Sequence, residues 1–183
     1  MTRPGQLVVT VATLALLAGC SSATDGPLDI PTSDGATVTL IAESGPRERA
    51  IGNIRATNTG DDEVTITRIT LVDPSNVRLG HSVVVPMTAN GRTMGSGFPV
   101  PPTSTDQDYD RLAALWATSE PAIGAVVEPG QQVNLVVGLE QVDKSRCASL
   151  DATTVTYTAG GRTYRDTWGT TYDFTTLDGT RCG

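Results

Sequence analysis

The chain has 183 residues, 38% of them hydrophobic and 4% aromatic, and its 13 Lys and Arg stand against 20 Asp and Glu for a formal charge of −7. That length suits one domain able to bury a real core. An acidic chain without a basic stripe excludes recognition of a phosphate backbone, so no nucleic-acid partner is expected, and electrostatic adhesion to anionic lipid is excluded on the same ground.

Residues 1–19 have the layout of a secretory signal: Arg3 precedes an uncharged apolar run from Leu7 to Leu17. The run is too short to span a bilayer, which takes about 20 apolar residues. Its end, Leu17-Ala18-Gly19-Cys20, resembles the lipobox of bacterial lipoproteins at every position. The resemblance implies cleavage before Cys20 and a diacylglycerol on its thiol. The expected location is therefore the outer face of the cell membrane, with acyl chains holding the exported chain by about 0.8 kcal/mol per buried methylene. No twin-arginine pair precedes the apolar run, which favours the general secretory route. Arginine is used almost to the exclusion of lysine, Lys144 being the only one, a bias typical of high-GC actinobacterial genomes.

Residues 20–35 are expected to form a lipidated tether, because small and polar residues interleaved with Pro27 and Pro31 bury little. A domain over residues 36–183 should follow. Its pattern is mainly β: Thr37–Ala42, then 50–57 with a turn at Asn58-Thr59-Gly60-Asp61. The return strand from Val64 slips phase between Ile66 and Ile69, which requires a β-bulge or two strands. His81–Val85 is a short apolar run. Val133–Glu140 is almost continuously apolar and predicts a strand buried on both faces. Thr153–Thr158 and Arg162–Trp168 around Gly160-Gly161 predict a hairpin, and a last strand carries Tyr172 and Phe174. Such a run of short strands predicts an antiparallel two-sheet sandwich, immunoglobulin-like in the broad sense.

An insertion at about 90–127 breaks this rhythm. It contains one expected helix, with Asp106, Asp108 and Asp110 at its N-terminal side, Leu112, Leu115 and Trp116 on one face, and Pro121 as its stop. Gly95-Ser96-Gly97 within it reads as a loop. Long insertions in compact domains are often functional, and Met94, Phe98, Val100 and Trp116 are the candidate surface for a partner, against the plainer reading that they cap an open end of the sandwich.

Chemistry-bearing motifs are sparse. His81 is the only histidine, with no Gly-x-Ser-x-Gly or nucleophile beside it. His81, Met87 and Met94 are a weak candidate set for copper, since imidazole and thioether suit Cu(I). The aspartates at 106, 108 and 110 lack the Gly and Glu of an EF-hand, because Arg111 and Ala117 stand at those positions. No spacing selects a carboxylate pair for hydrolysis, though a carboxylate-dependent hydrolase stays open as an alternative. No cofactor is expected. Of three cysteines, Cys20 is assigned to lipid, which leaves Cys147 and Cys182 as one disulfide in an oxidising compartment. It would close a loop of about 35 residues, a constraint worth about 3–4 kcal/mol.

The stretch from Trp116-Ala117 through Glu120-Pro121-Ala122-Ile123-Gly124-Ala125, Pro129-Gly130 and Leu135-Val136-Val137-Gly138 to Val155-Thr156-Tyr157 and Gly160-Gly161-Arg162-Thr163-Tyr164 resembles small secreted proteins and lipoproteins of actinobacteria. The resemblance covers most of the C-terminal half. It implies location and fold, not activity, and transfers no functional residue beyond Cys20. The expected function is a non-catalytic envelope lipoprotein that binds or scaffolds another envelope protein or a wall component.

Overall fold

A computed structural model describes residues 26–31, 35–42, 48–88, 91–104 and 108–181. The signal segment, Cys20, Asp106 and Cys182 lie outside the described residues. The described part is a mainly β sandwich with one short helix.

The first sheet is built on β3 (Glu48–Asn58), β9 (Gln132–Gln141) and β5 (Val77–Pro86), all antiparallel. At the outer edge of β3, β1 (Leu28–Asp29) pairs with the C-terminal end and β6 (Gly95–Pro99) with the N-terminal half. The short β7 (Glu120–Pro121) closes the other edge on β5. A second sheet of four strands runs β12 (Arg162–Trp168), β11 (Ala152–Ala159), β4 (Val64–Val72) and β8 (Val126–Val127). A third contains β10 (Ala148–Leu150), β13 (Thr171–Phe174) and β2 (Thr37–Leu40), the β13–β2 pair being parallel. The second and third sheets are joined where only Asp151 separates β10 from β11, and together they face the first sheet across the main core. Ile51, Ile54, Leu135, Val137 and Leu139 from the first sheet meet Ile66, Val155, Tyr157, Leu150, Tyr172 and Phe174 there.

Burial follows the residue pattern. Along β3, alternation holds from Asn53 to Asn58, but Arg49–Gly52 are buried on both sides. β9 is buried at every position from Val133 to Leu139, as its continuous apolar run requires. Both doubly buried stretches lie where a second apolar layer covers the outer face of the first sheet. The phase slip in β4 is a bulge: Ile66 pairs with Tyr157 and Arg68 with Thr156, so Thr67 is the extra residue. The β11–β12 hairpin turns at Gly160 (φ 54°) and Gly161 (φ 74°), where the left-handed backbone favours glycine twice over.

Three expectations are corrected. The tether ends earlier than residue 35. Leu28 and Ile30 are buried in the main core and Leu28 pairs with Asn58, because two apolar residues at i, i+2 between the prolines make an edge strand. Gly95-Ser96-Gly97 is not a loop but the start of β6. The helix, α1 (Tyr109–Trp116), stops well before Pro121, which instead lies in β7.

Candidate functional site

The insertion is ordered by its own core. Met94, Phe98, Val100 and Leu112 pack with Ala50, Val85 and Val136 on the outer face of the first sheet, and Val83, Leu115 and Trp116 pack against that group. Met94, Phe98 and Val100 are only 3%, 7% and 9% exposed. They therefore cannot present the apolar partner surface expected of them, and Trp116 is itself half-buried against the same group. The physical reason lies in β9. Leu135 and Val137 face the main core while Val136 between them faces the other way, so the sheet has two apolar faces, and the insertion covers the second.

Polar side chains fasten the approach to β6. Arg55 donates to the Gly91 carbonyl at 3.3 Å, Arg111 to Thr93 at 3.2 Å and Arg49 to Gly97 at 3.0 Å. Asn134, 1% exposed, accepts from the Met94 N–H at 2.8 Å. Its amide donates to the carbonyls of Gly52 and Ile54, at the irregularity where β3 leaves register with β9. No motif or spacing in the sequence singles out these four residues. The available signal was Asn134 itself, a lone amide inside a continuous apolar strand, which is stable there only when fully hydrogen-bonded.

Beyond this cover the same face of the sheet is charged. Glu48 and Glu140 are cross-strand partners, and Glu140 in turn faces Arg78, whose guanidinium lies 2.7 Å from its carboxylate. β5 and β9 lose register between Leu79 and Ser82. The Glu48 carboxylate reaches over β9 into this gap, accepting from the His81 backbone N–H at 2.8 Å and contacting His81 Nδ1 at 2.9 Å. Gly138 makes room for it, since a Cβ there would stand 2.6 Å from Glu48 Oε2 and 2.7 Å from the His81 carbonyl. The only histidine thus closes a strand irregularity through a carboxylate.

The weak copper set does not converge. His81 sits in β5 and Met87 just past its end, six residues and about 20 Å along an extended chain. Met94 is buried in the second core with its backbone tied to Asn134. Among the described residues no three His, Cys, Asp or Glu gather as a metal site. Asp108, at the helix N-terminus, makes no side-chain cap bond; its carboxylate lies 3.8 Å from Arg111, and Asp110 occupies the first turn.

Four aromatic residues of the last strands are core: Tyr157 and Tyr172 are fully buried, Phe174 and Trp168 nearly so. The Tyr157 hydroxyl accepts from the Leu28 N–H at 3.3 Å and donates to Asp166 at 2.5 Å, and its ring stacks on Tyr164. Burial, followed by the Asp166 carboxylate, holds its ionisation well above that of a free tyrosine. Tyr172 donates to Asn53 at 3.1 Å and accepts from the Trp168 indole at 3.4 Å, and burial raises its ionisation too.

At the end where the chain enters the fold, a polar cleft of about 520 Å³ is lined by residues including Pro27, Thr59, Asp61, Asp62, Arg162 and Tyr164. At the opposite end, Thr175 accepts the Ala42 N–H on its hydroxyl and donates its own N–H to Leu40, Gln141 donates to the Thr175 carbonyl, and the Leu177 N–H donates to Lys144. These bonds gather three chain segments that carry Ile41, Val142 and Leu177, each more than half exposed. Cys147 lies near them on the surface and is not a free thiol.

No protein-family model matches the chain, and a search of curated proteins found no match.

Proposed function

We propose that this chain is an exported lipoprotein, anchored through Cys20 to the outer face of the cell membrane, whose immunoglobulin-like sandwich binds or scaffolds another envelope protein or a wall component without catalysis. The observation that carries this reading is the spacing between Leu17-Ala18-Gly19-Cys20 and the first core strand at Leu28. A lipidation sequence followed within a few residues by an integral β-strand is the layout of a domain held at a membrane. The end bearing Ile41, Val142 and Leu177 is its contact surface, since Met94, Phe98 and Val100 of the insertion are used internally. Cys147 and Cys182 form its disulfide.

The test has two readouts on the full chain in a bacterial host. Incorporation of an alkyne fatty acid should label the chain and vanish in Cys20→Ala; label retained in that variant, or never present, sinks the anchor. In-cell crosslinking should recover a reproducible envelope partner that Val142→Asp with Leu177→Asp loses. Recovery unchanged by that double substitution would remove the assigned surface.

A further inference from the structure

The N-terminal strand fixes which way the domain faces. Resting on the lipidation of Cys20, we infer that the domain stands upright on the end formed by Asn58–Glu63, Glu128–Gly130 and Gly160–Arg162, and turns the Ile41, Val142 and Leu177 end away from the bilayer. The membrane surface itself is the partner of the lower end.

The attachment of β1 is unambiguous. Leu28 pairs with Asn58 and Asp29 with Thr57, the Thr59 N–H and hydroxyl both donate to the Pro27 carbonyl, and Leu28 and Ile30 are buried. The chain therefore leaves the body of the domain at Gly26, beside the β3–β4 turn. Residues 20–25 alone separate that point from the lipid, a reach of about 20 Å when fully extended. The strands then carry the structure away. β3 pairs Thr57 with Gln132 at the lower end and Glu48 with Glu140 at the upper, and its 11 residues span about 35 Å. A leash shorter than the domain leaves little freedom to invert it, whereas a tether running to residue 35 would have left the orientation free.

Charge sets the standing distance. Asp29, Asp61, Asp62, Glu63 and Glu128 are all exposed at the lower end, with Arg162 as a cation beside them. An anionic leaflet repels such a face within a Debye length of about 8 Å at physiological salt. The lower end is held off anionic lipid and settles closer on neutral lipid.

The experiment uses the full chain lipidated in cells and reconstituted in vesicles, with a fluorophore attached through an azide-bearing residue at position 61 or at position 144, and a short-range quencher on the lipid headgroup. On phosphatidylcholine, quenching at 61 should exceed that at 144 several-fold, and a flexible 20-residue insertion between 25 and 26 should erase the difference. Adding phosphatidylglycerol should reduce quenching at 61, and high salt should restore it. A chain that does not associate with vesicles overturns the anchor itself. A chain that associates but is quenched equally at both positions overturns the orientation, and quenching at 61 indifferent to lipid charge overturns the stand-off.

Discussion

Asn134 and Met94 are joined by a hydrogen bond of 2.8 Å from the Met94 N–H to the Asn134 side-chain carbonyl, and this bond couples the two cores of the protein. Asn134 belongs to the central strand of the first sheet, and Met94 is the first buried residue of the layer packed on its outer face. The Asn134 amide also closes the β3 irregularity at Gly52 and Ile54. Asn134→Ala strands all of these buried groups at once. Each unsatisfied buried group costs about 1–3 kcal/mol, so a loss of about 2–4 kcal/mol is expected on denaturant unfolding, accompanied by faster hydrogen exchange at the Met94 amide. A midpoint unchanged from the parent chain would show that the bond does not couple the layers.

The insertion itself is tested by truncating its buried side chains. Phe98→Ala should cost about 3–5 kcal/mol and Leu112→Ala about 2–5 kcal/mol, the usual range for opening a cavity in a close-packed core. A solvent-facing partner patch would tolerate the same changes within about 0.5 kcal/mol. The two readings of this segment are therefore separated by a stability measurement that needs no partner. Near-neutral values at both positions would return Phe98 to the surface.

Gly138 permits a second, more local test. In Gly138→Ala the new methyl meets the Glu48 carboxylate, which can swing aside, and the His81 carbonyl, which cannot. A destabilisation of about 1–3 kcal/mol is expected from such overpacking. Combining it with Glu48→Ala removes one of the two clashes but leaves the backbone one, so the double variant should recover only part of the loss. Full recovery would mean that the sheet is free to shift at His81.

Much of the sandwich was legible because its strands carry strong local patterns. The Gly160-Gly161 turn, the doubly buried Val133–Leu139 run and the phase slip between Ile66 and Ile69 each follow from periodicity or turn chemistry alone, and the pairing resolves that slip as a bulge rather than two strands. Leu28 and Ile30 were lost against Pro27 and Pro31, since a two-residue strand has too little pattern to stand out from a tether. Met94, Phe98 and Val100 read as a surface because the continuous apolar run of β9 announces a second covered face without showing which segment covers it. That is a fact about the pairing of distant strands. Likewise the Glu48–His81 contact joins residues 33 positions apart through a register irregularity that no spacing announces.

Alkaline pH should act through Tyr157. A free tyrosine ionises near pH 10, and in the folded chain burial and the Asp166 carboxylate raise that value further. The proton is thus held more tightly in the folded state than in the unfolded one. The stabilisation is fully present below pH 10 and declines as pH climbs above it towards the raised folded value, because the unfolded chain then gives up its proton first. Tyr172, raised by burial, adds to the same slope. In Tyr157→Phe the loss of stability above pH 10 should be shallower than in the parent. At neutral pH the variant should be less stable by about 1–2 kcal/mol, because the Leu28 N–H and Asp166 lose their common partner. Denaturant midpoints measured from pH 7 to pH 11 for both chains check the sign directly. Parallel curves would show that the Tyr157 proton is held no more tightly in the folded chain than in the unfolded one.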